Sequence, residues 1–156
     1  MAIRNASKAV IIKNGSILLN KYKHEDGRIY YELPGGGQNT YENLEQTVVR
    51  EVKEETGYDI RVDRFVALAE EIYTDEALRE KFPEYTHRIF HIFKAEIIGS
   101  ERAEPTETDY EMECSKWIPL KNAEQLKENG PSYLEKILFA CENGNAPCYL
   151  GTKYKD

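Results

Sequence analysis

The sequence predicts an α+β protein with one mixed sheet and helices packed against it. Three observations carry this: an Asn-Gly turn between two apolar runs near the start, one amphipathic stretch with helix-capping residues at both ends, and two β-rich segments followed by a second amphipathic stretch.

The elements follow in order. Ala9-Val10-Ile11-Ile12 and Ile17-Leu18-Leu19 flank Asn14-Gly15, the dipeptide favoured in type I′ turns, so residues 8–23 read as a β-hairpin. Residues 24–27 form a turn, and 29–33 a short strand halted by Pro34. Gly35-Gly36-Gly37 is then a backbone without side chains. Asn39 serves as a helix N-cap, with Glu42 three residues on completing a capping box. Leu44, Val48 and Val52 form an apolar stripe that Val49 widens, and Gly57 ends the helix. Residues 61–73 read as strand, 74–82 as a short inserted helix ended by Pro83, and 87–98 as a long strand. An acidic loop spans 101–113, and Trp117-Ile118-Pro119 is a short apolar segment. Two helices close the chain, over 123–128 and 133–142, the second with Leu134, Ile137, Leu138 and Cys141 on one face.

Composition bounds the function. The chain has 156 residues, 40% hydrophobic and 31% charged, with no repeat or low-complexity linker, which predicts a single globular domain over 1–156. Its formal net charge of −7 argues against nucleic acid and anionic membrane as partners. Cys114, Cys141 and Cys148 are odd in number and match no zinc spacing, so they read as reduced thiols. The start MAIRNASKAVIIK has no long apolar run, and no stretch approaches a membrane span. A soluble, cytoplasmic protein is the expectation.

The segment Arg50-Glu51-Val52-Lys53-Glu54-Glu55 is the most informative. On a helix, Glu51, Glu54 and Glu55 fall within an arc of roughly 100°. They repel one another at i, i+3 and i, i+4, in the last turns, where the helix dipole favours cations. A divalent cation would reverse both effects, and oxygen-only ligands suit Mg²⁺ or Mn²⁺. A solvated charged face, with Arg50 and Lys53 pairing some glutamates, is the alternative for the cluster alone.

The surroundings decide between these. The order is Gly36, five residues, Glu42, seven residues, then Arg50-Glu51-Val52-Lys53-Glu54-Glu55-Thr56-Gly57-Tyr58, preceded by Leu33-Pro34-Gly35-Gly36-Gly37. This resembles the Nudix box, here residues 36–58, the signature of the Nudix hydrolases (MutT-like, with a single Nudix domain). Tyr58 stands where the family usually has an aliphatic residue, and Tyr41 where a small residue, usually glycine, precedes the first glutamate. The downstream Glu111-Met112-Glu113 before Trp117-Ile118-Pro119-Leu120 also resembles the family pattern.

The resemblance implies an α/β/α sandwich with a mixed sheet between helices. It implies a metal-dependent pyrophosphohydrolase that cleaves the diphosphate bond of a nucleoside diphosphate linked to another group, by water attack at phosphorus. Glu51, Glu54 and Glu55 would be the metal ligands or the adjacent base, with Gly35 adding its carbonyl as a ligand and Mg²⁺ or Mn²⁺ as cofactor; Glu51, Glu54, Arg50 and Glu111 are the catalytic candidates. Arg50 would orient a glutamate, and Glu42 would tie the loop to the helix. The general base would be Glu51, Glu111 or Glu113. Gly36, Gly37 and Tyr31 are candidate substrate contacts, and Tyr22, Tyr30, Tyr73 and Tyr85 could also stack on a base, though tyrosines in a β-rich chain mostly pack. His87 and His91 share one side of a strand. The partner implied is a small nucleotide, with a homodimer as a further possibility. A non-catalytic Nudix-fold domain that senses a nucleotide or binds a protein is the rival reading, although such domains usually lose glutamates that this chain keeps. The substrate stays open: Pro83 lies too far downstream to match the proline of ADP-ribose hydrolases.

Overall fold

Asn14 and Gly15 both adopt positive φ, 50° and 71°, as a type I′ turn requires. They join β1 (Arg4–Lys13) to β2 (Ser16–Lys23). The computed structural model describes residues 3–107, 111–144 and 147–155. Both strands are apolar on both faces because both faces are covered. β1 also pairs in parallel with β6 (His87–Ile97), so it ends up in the interior of the sheet.

The remaining strands are β3 (Ile29–Glu32), β4 (Gly35–Gly37), β5 (Ile60–Tyr73), β7 (Met112–Pro119) and β8 (Cys148–Lys155). The main path runs β3-β2-β1-β6-β5-β8, with β4 on β1 and β7 on β2. The β1–β6 and β5–β8 pairs are parallel and the others antiparallel, which makes the sheet mixed as expected.

Helices cover both faces. On one, α1 (Leu44–Thr56) buries Val48 and Val52 against Ala9, Ile11, Leu18, Phe93 and Ala95. On the other, α3 (Leu134–Asn143) buries Leu134, Ile137 and Cys141 against Val10, Val66, Phe90 and Ile92. The split follows from the strand period of two: Ala9 and Ile11 point to α1, Ala6 and Val10 to α3.

Several expectations change. The N-cap of α1 is Asn43, with Gln46 completing the capping box, rather than Asn39 with Glu42. Val49 is exposed and does not widen the buried stripe. The glycine run forms strand β4. The end of the acidic loop and the Trp117 segment merge into β7 on β2. The helix expected over 123–128 is a 3-10 turn at Leu120–Leu126. The inserted helix is α2 (Glu76–Lys81), capped by Asp75 and followed by a 3-10 turn at Pro83–Tyr85. β8 was not foreseen. All three cysteines are free thiols. Among the described residues no helix is long and apolar enough to cross a membrane.

Candidate active site

The site is built where β4 meets α1. β4 pairs with β1 in the register Ser7 to Gly36 and Lys8 to Gly35. Glycine is needed here for space: a Cβ on Gly36 would lie 2.3 Å from Glu51 Oε2, and one on Gly35 would lie 2.1 Å from the Ser7 carbonyl oxygen. The bare backbone therefore lets the Glu51 carboxylate sit directly on the strand.

Arg50 organises the carboxylates. Its Nε and Nη2 donate to the two oxygens of Glu42 at 2.8 and 2.9 Å. Nη1 donates to Glu51 Oε1 at 2.7 Å and Glu54 Oε2 at 3.0 Å, and Nη2 also reaches the Gly37 carbonyl at 3.0 Å. A guanidinium has five N–H donors, and these contacts engage all of them. The repulsion that the sequence shows among Glu51, Glu54 and Glu55 is thus relieved in part by one cation bound to two of them, Glu51 and Glu54, and to Glu42 as well. Lys53 takes no part; it pairs with Asp59 at 2.7 Å.

Glu42 also accepts from the Asn39 amide at 3.1 Å and the Thr47 hydroxyl at 3.0 Å. Hydrogen bonding from Arg50, then from Asn39 and Thr47, lowers its carboxyl to about 2 against the opposing effect of burial. Burial pushes the Glu51 carboxyl up despite its bond to Arg50. Glu55 is 3% exposed, and its Oε2 accepts from the Gly35 amide at 2.8 Å and from Asn20 Nδ2 at 2.7 Å. It therefore braces β4 against α1 and β2. Tyr58 fills its apolar slot, edge-on to Trp117 with ring centroids 6.1 Å apart. Tyr41 adopts φ 68°, the left-handed conformation that suits glycine, with its ring fully in solvent.

Among the described residues, no three His, Cys, Asp or Glu side chains form a ready-made metal cage. The donor set nevertheless suits a hard cation. The Glu51 and Glu54 oxygens converge on one positive group, and the Gly35 carbonyl accepts from the Lys8 ammonium at 2.5 Å. Glu51 Oε1, Glu54 Oε2 and the Gly35 carbonyl each accept from a cation, and all are hard oxygens of the kind Mg²⁺ and Mn²⁺ take.

A cavity of about 480 Å³ lies on the α3 side of the sheet. Tyr22, Tyr30, Tyr73, Tyr85, Phe90 and Tyr133 give it an aromatic wall, and five lysines and arginines face it against three glutamates. It is thus locally cationic in an acidic chain. Tyr22 stacks on Tyr30 at 4.9 Å, and His24 stacks on the same ring at 4.5 Å. Glu71 pairs with Arg88 and lies 3.6 Å from Lys155. Burial raises the Glu71 carboxyl, but the Arg88, Lys155 and Lys153 charges outweigh it, and the group ends below its ordinary value.

The candidate residues divide accordingly. Arg50, Glu51, Glu54, Glu55 and Gly35–Gly37 come together. Glu111 lines the cavity, its Oε2 2.8 Å from His24 Nδ1. Glu113 instead pairs with Lys21 at 2.5 Å on the outer side of the sheet. Tyr31 lies on β3 between Tyr30 and Glu32, which line the cavity, and is itself partly buried against the core cluster that includes Leu134 and Ile137. His87 and His91 face away, bonded to Glu70 and the Ala6 carbonyl, while Arg88 and Phe90 between them line the cavity. Lys8, Glu32, Glu71, Arg88, Lys153 and Lys155 are cavity residues that sequence reasoning missed. Little signal existed for Lys8, which stands just before the apolar run Ala9-Val10-Ile11-Ile12.

The NUDIX domain family model matches residues 3–139. An ADP-ribose pyrophosphatase of Methanocaldococcus jannaschii is 33% identical over 96 residues, 62% of this chain and 52% of that protein. The chain therefore spans about half the length of that curated relative. The solved structure of a NUDIX hydrolase from Nitrosomonas europaea superposes with a TM-score of 0.68 at 17% identity, covering 90% of this chain and 87% of that one. An ADP-ribose pyrophosphatase from Streptococcus suis gives 0.57 at 21% identity, covering 95% of this chain and 99% of the other. At those identities the structural likeness speaks to the fold. The family model covers most of the chain, the two-faced mixed sheet matches, and the box residues assemble around Arg50: the chain belongs to the NUDIX domain family.

Proposed function

We propose that the chain is a divalent-cation-dependent pyrophosphohydrolase that cleaves the diphosphate bond of a nucleoside diphosphate linked to another group. The observation that carries this is the Arg50 network, which holds Glu42, Glu51, Glu54 and the Gly37 carbonyl at one point beside β4. Glu51, Glu54 and the Gly35 carbonyl would hold Mg²⁺ or Mn²⁺, with Glu55 fixing the amide side of Gly35. When bound, such an ion neutralises the diphosphate and lowers the pKa of a coordinated water.

The chain's own residues supply the rest. Arg50 keeps the glutamates in register on α1. Glu51, partly buried and raised by that burial, is one candidate to take the proton of the attacking water. Glu111, at the cavity edge, is the other; the Glu113 ion pair with Lys21 weighs against Glu113. The aromatic wall suits a nucleoside, since bases stack on tyrosine at about 1–3 kcal/mol each. The cationic lining suits a phosphate-bearing substrate. The free thiols fit a reducing, cytoplasmic setting.

The test is release of phosphate or monophosphate from a panel of nucleotides, with Mg²⁺, Mn²⁺ or chelator, beside Glu54→Gln. ADP-ribose joins nucleoside triphosphates, NADH, dinucleoside polyphosphates and nucleotide sugars because two proteins similar to this chain are named for it. Turnover of one class, lost with chelator and reduced at least 100-fold in Glu54→Gln, is the expected result. Nucleotide binding without turnover under every metal condition would overturn it in favour of a sensing domain.

A further inference from the structure

Lys8 stands between the two halves of the site. It lies on β1 opposite Gly35 and is 9% exposed. Its Nζ donates to the Gly35 carbonyl at 2.5 Å, and the same side chain lines the aromatic cavity. Its charge also acts on Glu51, on the box side, and on Glu32, in the cavity wall. Among the described residues no carboxylate forms a salt bridge with it within 4.0 Å. Among the described residues, the hydrogen-bond partner shown for this nearly buried ammonium is a neutral carbonyl, and Glu51 and Glu32 act on it without forming a salt bridge, which leaves it under-compensated. Such a group is placed to receive an anion.

We propose that Lys8 binds the diphosphate of the substrate, and that it leaves the Gly35 carbonyl when a divalent cation takes that oxygen. This rests on the hydrolase reading above, because it assumes that the Gly35 carbonyl is a metal ligand. Two cations cannot share one carbonyl oxygen cheaply, so the arriving metal drives the ammonium away. Lys8 already lines the cavity, so that is the direction in which the ammonium would turn, toward the aromatic wall that suits a nucleoside. Lys8 thereby joins the metal side of the site to the nucleoside side.

The proposal has a signature of opposite signs. Lys8→Met frees the carbonyl and removes a positive charge beside Glu51, so Mn²⁺ alone should bind more tightly, by about fivefold. The same change removes the diphosphate partner, so inorganic pyrophosphate, with Mn²⁺ saturating, should bind at least about tenfold more weakly. KM for any turned-over nucleotide should rise by a similar factor, with kcat within about threefold, because the interaction is made in both ground and transition states. Lys8→Arg should restore most of the pyrophosphate affinity.

The experiment uses the full chain, with Mn²⁺ followed by the paramagnetic signal of the free ion and pyrophosphate by calorimetry. A thermal melt of Lys8→Met checks that the variant is folded before its binding is read. Tighter Mn²⁺ with weaker pyrophosphate supports the proposal. Weakening of both, which a merely structural lysine would produce, overturns it. Unchanged pyrophosphate affinity also overturns it. Failure of the hydrolase reading looks different: the wild type turns over no nucleotide, while its pyrophosphate binding still depends on Lys8.

Discussion

Replacing Glu42 by Gln should cost stability in a pH-dependent way. The carboxylate accepts four hydrogen bonds, two of them from the Arg50 guanidinium. Its carboxyl falls from 4.5 to about 2, with hydrogen bonding from Arg50 the main cause. A displacement of that size corresponds to about 3 kcal/mol at most. Solvent reaches the group, since its side chain is 15% exposed, so screening reduces the figure to about 1–2 kcal/mol. For a chain of this length that is a fall in Tm of about 3–8 °C.

The sign follows from linkage. A carboxyl with a depressed folded-state pKa stabilises the fold above its unfolded value, and the contribution is lost as pH falls toward the folded value. The gap between wild type and Glu42→Gln should therefore be full at pH 7, begin to close below about 4.5, and shrink to less than half by about pH 3. Urea unfolding at a series of pH values, with both proteins side by side, measures it. Equal stability at pH 7, or a gap that stays constant down to pH 3, would refute the account of Arg50 and Glu42 as a charge-dependent clamp.

Other outcomes follow from the same geometry. Gly36→Ala puts a methyl 2.3 Å from Glu51 Oε2; the carboxylate can swing aside, so stability should change by less than about 1 kcal/mol, while kcat on the substrate found in the panel falls about 100-fold. A melt and a turnover assay on one preparation separate the two effects. Tyr41→Gly removes a side chain whose backbone sits at φ 68° and whose ring is fully exposed, so thermal melts should show a gain of about 0.5–1 kcal/mol. Glu55→Gln converts the acceptor that holds both the Gly35 amide and Asn20. Calorimetry should show stability down by about 1–3 kcal/mol and Mn²⁺ affinity down together, in contrast to the opposite signs expected for Lys8.

Much of the site was legible because its residues are close in sequence. Gly35 to Tyr58 is one continuous strand, loop and helix, and helical periodicity alone places Glu51, Glu54 and Glu55 on neighbouring positions. What the spacing did not show is that the three glutamates take separate roles: Arg50 gathers Glu51 and Glu54, while Glu55 turns inward to hold Gly35 and Asn20. Asn39 and Glu42 have the spacing of a capping box and do bond to each other, at 3.1 Å, yet the helix starts at Leu44. Glu42 was committed to Arg50 instead, and Asn43 with Gln46 supplied the cap. Local capping rules cannot see that competition.

Sequence alone determined the hairpin, the amphipathic faces of α1 and α3, the long strands β5 and β6, and the box that marks the family, because each is encoded by a local period or an unbroken motif. Tertiary structure decided the cavity. Its wall draws on β1, β2, β3, β5, β6, β8 and the loops between them, residues as far apart as Lys8 and Lys155. Which side of each strand faces it depends on pairing register: one position along β3 exchanges Tyr30 for Tyr31, and one along β6 exchanges His87 for Arg88. Register is set by the partner strands and the two covered faces of the sheet, and those interactions exist only once the chain has folded.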